Sequence, residues 1–317
     1  MNNGLYGLPR LKSSVALSGF VEQWNMGGIY SSSQSVTPPA GAKKCFAYIF
    51  GQGGNSKSNG TNASTYSGAG AGCAYGEFDV VAGAPVIISM SSGQGGTSKI
   101  SHNGVDLLTA IGANYNVAGT ASKHASVRSG GAYSGGAGLN NIATASGASS
   151  GSMFGVGQSG TNGGGSPVGG SSWTYQGGSS AGAGLGNGSG DGLSASTVIT
   201  DPLLFYFRPT NPRLSSLSGA YSSTVNTPPG VGGIKDNTPQ KYPAGMFGGG
   251  CPALSGIAYN SGDPGGFGAG GGSGWGTNTS YGGSGGVAGG GAGVTSTTVA
   301  DPQAHGGAPR AVLFWSA

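Results

Sequence analysis

The sequence predicts a mostly β and irregular fold: a small β platform with packed glycine-rich helices of the polyglycine II kind, and few or no α-helices. Three observations carry this. First, the 317 residues include 72 glycines and 16 prolines, a proportion that by itself reads as low complexity or disorder. Second, charged residues make up only 7% of the chain and apolar residues 36%. Self-repulsion therefore does not hold the chain open, and there is apolar surface to bury. Third, the glycine blocks alternate with short apolar runs of strand-forming residues. A strict Gly-X-Y repeat is absent, which excludes collagen.

The glycine stretch from Gly265 to Gly293 sets the problem. Phe267, Trp275, Tyr281 and Val287 stand in it singly. Glycine costs about 1 kcal/mol per residue in a helix and weakens the interior of a strand. A period of three starts at 265, 268, 271 and 274, all Gly, and the same phase continues as Thr277, Ser280, Gly283, Gly286, Gly289 and Ala292. A left-handed three-residue helix has no internal hydrogen bonds, so its amides must bond sideways. Glycine lets such backbones lie close together, with weak Cα–H···O contacts as a secondary contribution. From Gly182 to Gly192 glycine falls on every second residue. That fits β better than a three-residue period, and both readings stay open there.

In chain order, residues 1–38 read as an N-terminal attachment arm, or else as a strand or short helix covering the domain. Residues 39–317 form one glycine-rich domain. Lys43–Phe50 is a β-strand that stops at Gly51-Gln52-Gly53-Gly54. Gly76–Val81 and Val86–Met90 are further strands, and the second stops at Gly93-Gln94-Gly95-Gly96. Each GQGG is expected to carry the chain from the platform into the glycine region. Ile100–Leu108 reads as a hairpin with a type I′ turn at Asn103-Gly104. Strands at 203–207 and 311–315 come after two matching segments, STVITDP at 196–202 and TTVADP at 297–302. The proline-rich 208–247 between them reads as a surface insertion.

Chemistry is sparse. Net charge is +4 with scattered basic residues, which leaves nucleic-acid binding without its electrostatic footprint. Cys45, Cys73 and Cys251 show no metal-ligand spacing. They read as buried thiols, or as one disulfide with one free thiol. No cofactor or metal is expected. Nine carboxylates are present; Glu77 and Asp79 share one strand face and read as solvent-facing. His102, His124 and His305 are scattered, and no GxSxG elbow occurs. The chain therefore reads as a non-enzyme. The apolar run Val15–Phe20 is too short for a signal peptide, so folding in the cytosol is expected. Binding, where present, falls to aromatic anchors on turns. The candidates are Tyr66, Phe154, Trp173, Tyr175, Tyr221, Tyr242, Trp275 and Tyr281, each of which reads equally well as an edge cap of the core.

Three segments carry a family likeness: AKKCFAYIFGQGG at 42–54, VVAGAPVIISMSSGQGG at 80–96, and the closing GGAPRAVLFWSA at 306–317. With the Gly/Ser/Ala blocks between them, residues 37–317 resemble the glycine-rich domains at the distal ends of bacteriophage tail fibres. More loosely they resemble T-even-like tip adhesins built on a polyglycine II sandwich. The resemblance implies a virion protein made in the host cytoplasm. It implies attachment to other tail or fibre proteins through residues 1–38, and host contact through distal loops. The implied receptor is a surface glycan or an outer-membrane protein, and a homotrimer is possible. The alternative is a purely structural virion part, such as a baseplate, collar or capsid fibre. A secreted glycine-rich matrix protein is a more distant option.

Overall fold

The computed structural model describes residues 24–58, 65–140, 147–153, 155–160, 202–203, 234–235, 241–242, 268, 270, 288–290 and 305–317. In chain order the strands are β1 (Asn25–Tyr30), β2 (Gln34–Val36), β3 (Lys44–Phe50), β4 (Lys57–Ser58), β5 (Thr65–Tyr66), β6 (Cys73–Asp79) and β7 (Val86–Ser89). They continue as β8 (Thr97–His102), β9 (Val105–Ile111), β10 (Ala121–Lys123), β11 (Gly130–Tyr133), β12 (Ile234–Lys235), β13 (Lys241–Tyr242) and β14 (Arg310–Ser316). Regular structure among the described residues is thus mostly β, as the sequence predicts, Pro202 and Leu203 being helical.

Two antiparallel sheets form the platform, ordered β1-β14-β3-β6-β11 and β10-β9-β8-β7-β2. The apolar runs KCFAYIF and RAVLFWS pair along their whole length, from Lys44 opposite Ser316 to Phe50 opposite Arg310. Both are central strands covered on both faces, which is why they read as continuous rather than alternating apolar runs. On one face Cys45, Ala47, Ile49, Leu313 and Trp315 pack against Ile88, Ile100 and Leu108 of the second sheet. On the other, Phe46, Tyr48, Phe50, Val312 and Phe314 pack with Leu203 and Ala288. Tyr48 stacks on Tyr75 at 5.5 Å between ring centroids, and its hydroxyl accepts a bond from the Leu203 amide at 3.4 Å.

The hairpin turn is as expected: Asn103 and Gly104 join β8 to β9 with φ of 49° and 79°, the positive pair a type I′ turn requires. Other expectations change. Residues 1–38 read by sequence as an arm, or else as a strand or short helix covering the domain; within them Asn25–Tyr30 and Gln34–Val36 are strands of the two sheets, β1 pairing with β14 and β2 with β7, and residues 1–23 lie outside the described residues. The strand expected at 76–81 runs instead from Cys73 to Asp79 and belongs to a different sheet from Val86–Ser89. The second GQGG does not leave the platform. It is the tight connection between β7 and β8, closed by the Gly96 amide on the Gly93 carbonyl at 2.8 Å. Cys45 and Cys73 are both buried. They face opposite sides of the first sheet, and burial raises the Cys45 thiol pKa well above its usual value. Of the strand expected at 203–207 only Leu203 is described, and the alternating-glycine run 182–192 lies outside the described residues.

The first GQGG does carry the chain out of the sheet. Segment 51–56 continues β3, 67–72 leads into β6, and 305–309 leads into β14. None of these is a strand, yet most of their amides are paired, with segments distant in sequence. In 67–72, the amides of Ser67 and Gly70 donate to Leu139 and Gly136; those of Ala69 and Gly72 donate to Tyr115 and Ile111; that of Ala71 donates to Ala288. The carbonyls keep the same rhythm. Gly68 and Ala71 accept from Ala148 and Gly151, Ala69 and Gly72 accept from Gly54 and Gly51, and Gly70 accepts from Gly119. Residues three apart therefore address the same neighbour.

The glycines in this region are needed for space. A Cβ on Gly70 would lie 1.8 Å from the Ser149 carbonyl oxygen; on Gly53, 1.9 Å from that of Gly289; on Gly136, 2.0 Å from that of Gln158. The obstacle in each case is backbone, which cannot swing aside. Overpacking a core costs about 1–3 kcal/mol and sometimes more. Gly70→Ala is expected to destabilise the protein by about 3 kcal/mol in urea unfolding. At Gly93 an added Cβ meets nothing closer than 3.9 Å, and Gly93→Ala is expected to stay within about 0.5 kcal/mol of the parent. Equal effects at the two positions would remove the steric argument.

Candidate functional site

The first sheet has two distinct ends. At one, β1 and β3 begin while β6 and β14 finish, with Lys44 opposite both Ser316 and Asp79. At the other, Phe50, Cys73 and Arg310 lie abreast, and the glycine segments extend away from there. Their far end holds the β4–β5 hairpin, the turn Asn114–Val117 and residues 138–140. Backbone bonds fix this grouping: Ala69 amide to Tyr115 carbonyl at 2.7 Å, Gly138 to Asn116 at 3.0 Å, and Ser67 to Leu139 at 3.0 Å.

The side chains at this far end are the kinds that make recognition surfaces. Asn114 and Val117 exchange both backbone bonds, so Tyr115 and Asn116 form a two-residue loop. Tyr115 has φ of 50°, a region that residues other than Gly, Asn and Asp seldom occupy. Gln94 holds the loop: its Oε1 accepts from the amides of Tyr115 at 3.0 Å and Asn55 at 3.1 Å. Its Nε2 donates to the Gly53 carbonyl at 3.3 Å. The Lys57 ammonium sits 5.3 Å from the centre of the Tyr115 ring, within cation–π range. Asn116 Nδ2 donates to Asn140 Oδ1 at 2.7 Å. Tyr115 is 38% exposed and Val117 61%.

Of the eight aromatic candidates, Tyr66 is described and partly buried, directly across from Lys57 in the β4–β5 pair. Tyr242 is in β13. Phe154, Trp173, Tyr175, Tyr221, Trp275 and Tyr281 lie outside the described residues. Sequence reading missed Lys57, Tyr115, Asn116, Val117 and Asn140. A Tyr-Asn pair at the tip of a short turn was the available signal for Tyr115, since Asn favours loops of this kind.

The titratable groups nearer the platform are structural. His102 Nε2 accepts from the Val81 amide at 2.9 Å, and its Nδ1 lies 3.1 Å from the Pro85 carbonyl. The ring thereby pins the β6–β7 connection. His124 bonds Ser126 within its own turn. Glu77 and Asp79 share one face as expected, but are ion-paired: Arg128 contacts both, and Lys44 Nζ is 3.0 Å from Glu77. Among the described residues no group of His, Cys, Asp or Glu is set to hold a metal ion.

The hydrogen bond from Arg128 holds the Asp79 carboxyl below the usual carboxylate range. A lowered folded pKa adds stability that is fully present above the unfolded Asp value of about 3.9, and that is lost as pH falls through the folded value. The pair is exposed, so its contribution to stability is small and the titration itself is the better readout. By NMR the Asp79 midpoint is expected below about 3.9, rising to about that value in Arg128→Gln. An unchanged midpoint in the variant would show that Arg128 is not the cause. Gln94→Ala removes the acceptor of two amides and is expected to cost about 1–3 kcal/mol and to broaden the Tyr115 resonances.

No family model, curated protein or solved structure matches this chain, so its functional reading rests on its own residues and their arrangement.

Proposed function

We propose that this chain is a bacteriophage tail-fibre or tail-tip protein that attaches the virion to the host cell surface. Its glycine-rich region is a polyglycine II sandwich, and its distal turns make the contact. The hydrogen bonding of 67–72 is the observation that carries the reading. Amides and carbonyls three residues apart address the same neighbour, the pattern of a three-residue helix bonded only to its surroundings. The close backbone approaches at Gly53, Gly70 and Gly136 add support, since a lattice of this kind leaves no room for side chains between its members.

The polarity of the molecule supports the rest. Strands that begin and end at one end of the first sheet suit docking onto a larger assembly there. The opposite end offers an aromatic ring, amides and a cation on turns held by backbone bonds, and function on loops set on a rigid scaffold is the general expectation. The chain acts by binding, without catalysis or cofactor.

Labelled full-length protein is expected to adsorb to a subset of a bacterial strain panel and to reduce plaque formation by phages that infect those strains. Adsorption to no strain would favour a structural baseplate, collar or capsid-fibre role, with the tip covered by other virion proteins.

A further inference from the structure

The distribution of charge narrows the ligand class, on the premise that the far end is the receptor-contact surface. The sequence holds no Asp or Glu from Cys45 to Gly76 or from Leu107 to Gly190. Among the described residues, the β4–β5 pair, the turn Asn114–Val117 and residues 138–140 all come from these carboxylate-free stretches. The acidic groups Glu77 and Asp79 are at the opposite end of the sheet, already paired with Arg128 and Lys44. Lys57 is exposed, and among the described residues no carboxylate pairs with it. A cation with no carboxylate beside it among the described residues attracts an anion.

The surroundings of Lys57 are suited to sugar. Tyr115 is partly exposed, and an aromatic ring of this kind can stack on the C–H side of a pyranose. The Asn116 and Asn140 amides, bonded to each other, still have donor and acceptor capacity for hydroxyl groups. Gln94 fixes the loop that carries Tyr115, so little ordering remains to be done on binding. A protein ligand would favour a larger apolar contact than one ring and Val117 provide.

We infer that the far end binds an acidic glycan, with a sugar ring against Tyr115 and its carboxylate or phosphate at Lys57.

The test uses the full chain and a panel of surface-immobilised oligosaccharides. The panel contains uronic-acid glycans, each beside its carboxyl-reduced partner, and sugar-phosphate glycans, each beside its dephosphorylated partner. At least one acidic glycan is expected to bind about 10-fold more tightly than its neutral partner, with the advantage shrinking as salt is raised. Which pair shows the preference identifies the anion. Lys57→Gln is expected to abolish the preference for the acidic partner. Tyr115→Asn, whose new residue tolerates positive φ, is expected to weaken both, with the melting temperature of each variant near that of the parent. Binding to no glycan, equal binding to acidic and neutral partners, or an unchanged preference in Lys57→Gln would overturn the inference. Cell adsorption that persists alongside any of these would leave the attachment role standing with a different ligand, for example an outer-membrane protein.

Discussion

A buried peptide group must find a partner, and in this protein that requirement is met without strands or helices in segments such as 67–72. These segments have no side chains able to insulate them and no internal hydrogen bonds. Five of the six amides and five of the six carbonyls of 67–72 instead reach sideways to other segments, at N···O distances of 2.7 to 3.0 Å for the amides. The approach needed for those bonds leaves under 2 Å for a Cβ at positions such as Gly53 and Gly70. Glycine is thus fixed by the closeness of neighbours, and that closeness is fixed by hydrogen bonding.

The platform makes this arrangement possible. A glycine segment alone gains almost nothing from burial, because it has no apolar side chain to remove from water. The driving force resides in β3, β6 and β14, whose aromatic and aliphatic side chains fill two cores on either side of one sheet. These strands run directly into 51–56, 67–72 and 305–309, so forming the sheet aligns the roots of the glycine segments. Ala288 and Leu203 belong to the outer core, and Ala288 also bonds Ala71 and Ala308. The change from a two-neighbour ladder to bonding on all sides occurs within a residue or two, at Gly51 and Gly72. This support carries the turn Asn114–Val117, whose Tyr115 and Val117 side chains are exposed.

The sequence reveals some of this plainly. KCFAYIF and RAVLFWS announce central strands because both faces are covered and polar residues have no place in them. Asn103-Gly104 announces its turn because few other pairs accept two positive φ values. β1 and β2 were hidden. NMGGIY carries two glycines and little β propensity, and it is a strand because β14 offers it an unpaired edge. The two GQGG motifs look alike, and the difference between them lies in the chain downstream. The first runs on into a Ser- and Asn-rich stretch, NSKSNGTNAST; the second runs into a strand-forming stretch that turns it into a hairpin loop. The far-end residues were hardest to find. Lys57 meets Tyr115, and Asn116 meets Asn140, only after segments far apart in the chain have stacked side by side. No local pattern encodes that lateral order. Reading aromatics as anchors picked out Tyr66, which is half-covered, and passed over Tyr115, whose exposure comes from a turn with an unusual backbone.

The central claim is that glycine-rich segments outside any sheet are ordered by mutual backbone bonding. Residue-resolved amide hydrogen exchange on the full chain tests it most directly, at Ala69, Gly70, Ala71, Gly72, Gly136 and Gly151, compared with Tyr48 and Leu313 in the central strands. Protection at the glycine-region amides within about tenfold of the strand amides is the predicted result. Exchange at those positions close to the rate of an unstructured peptide, while Tyr48 and Leu313 stay protected, would contradict it.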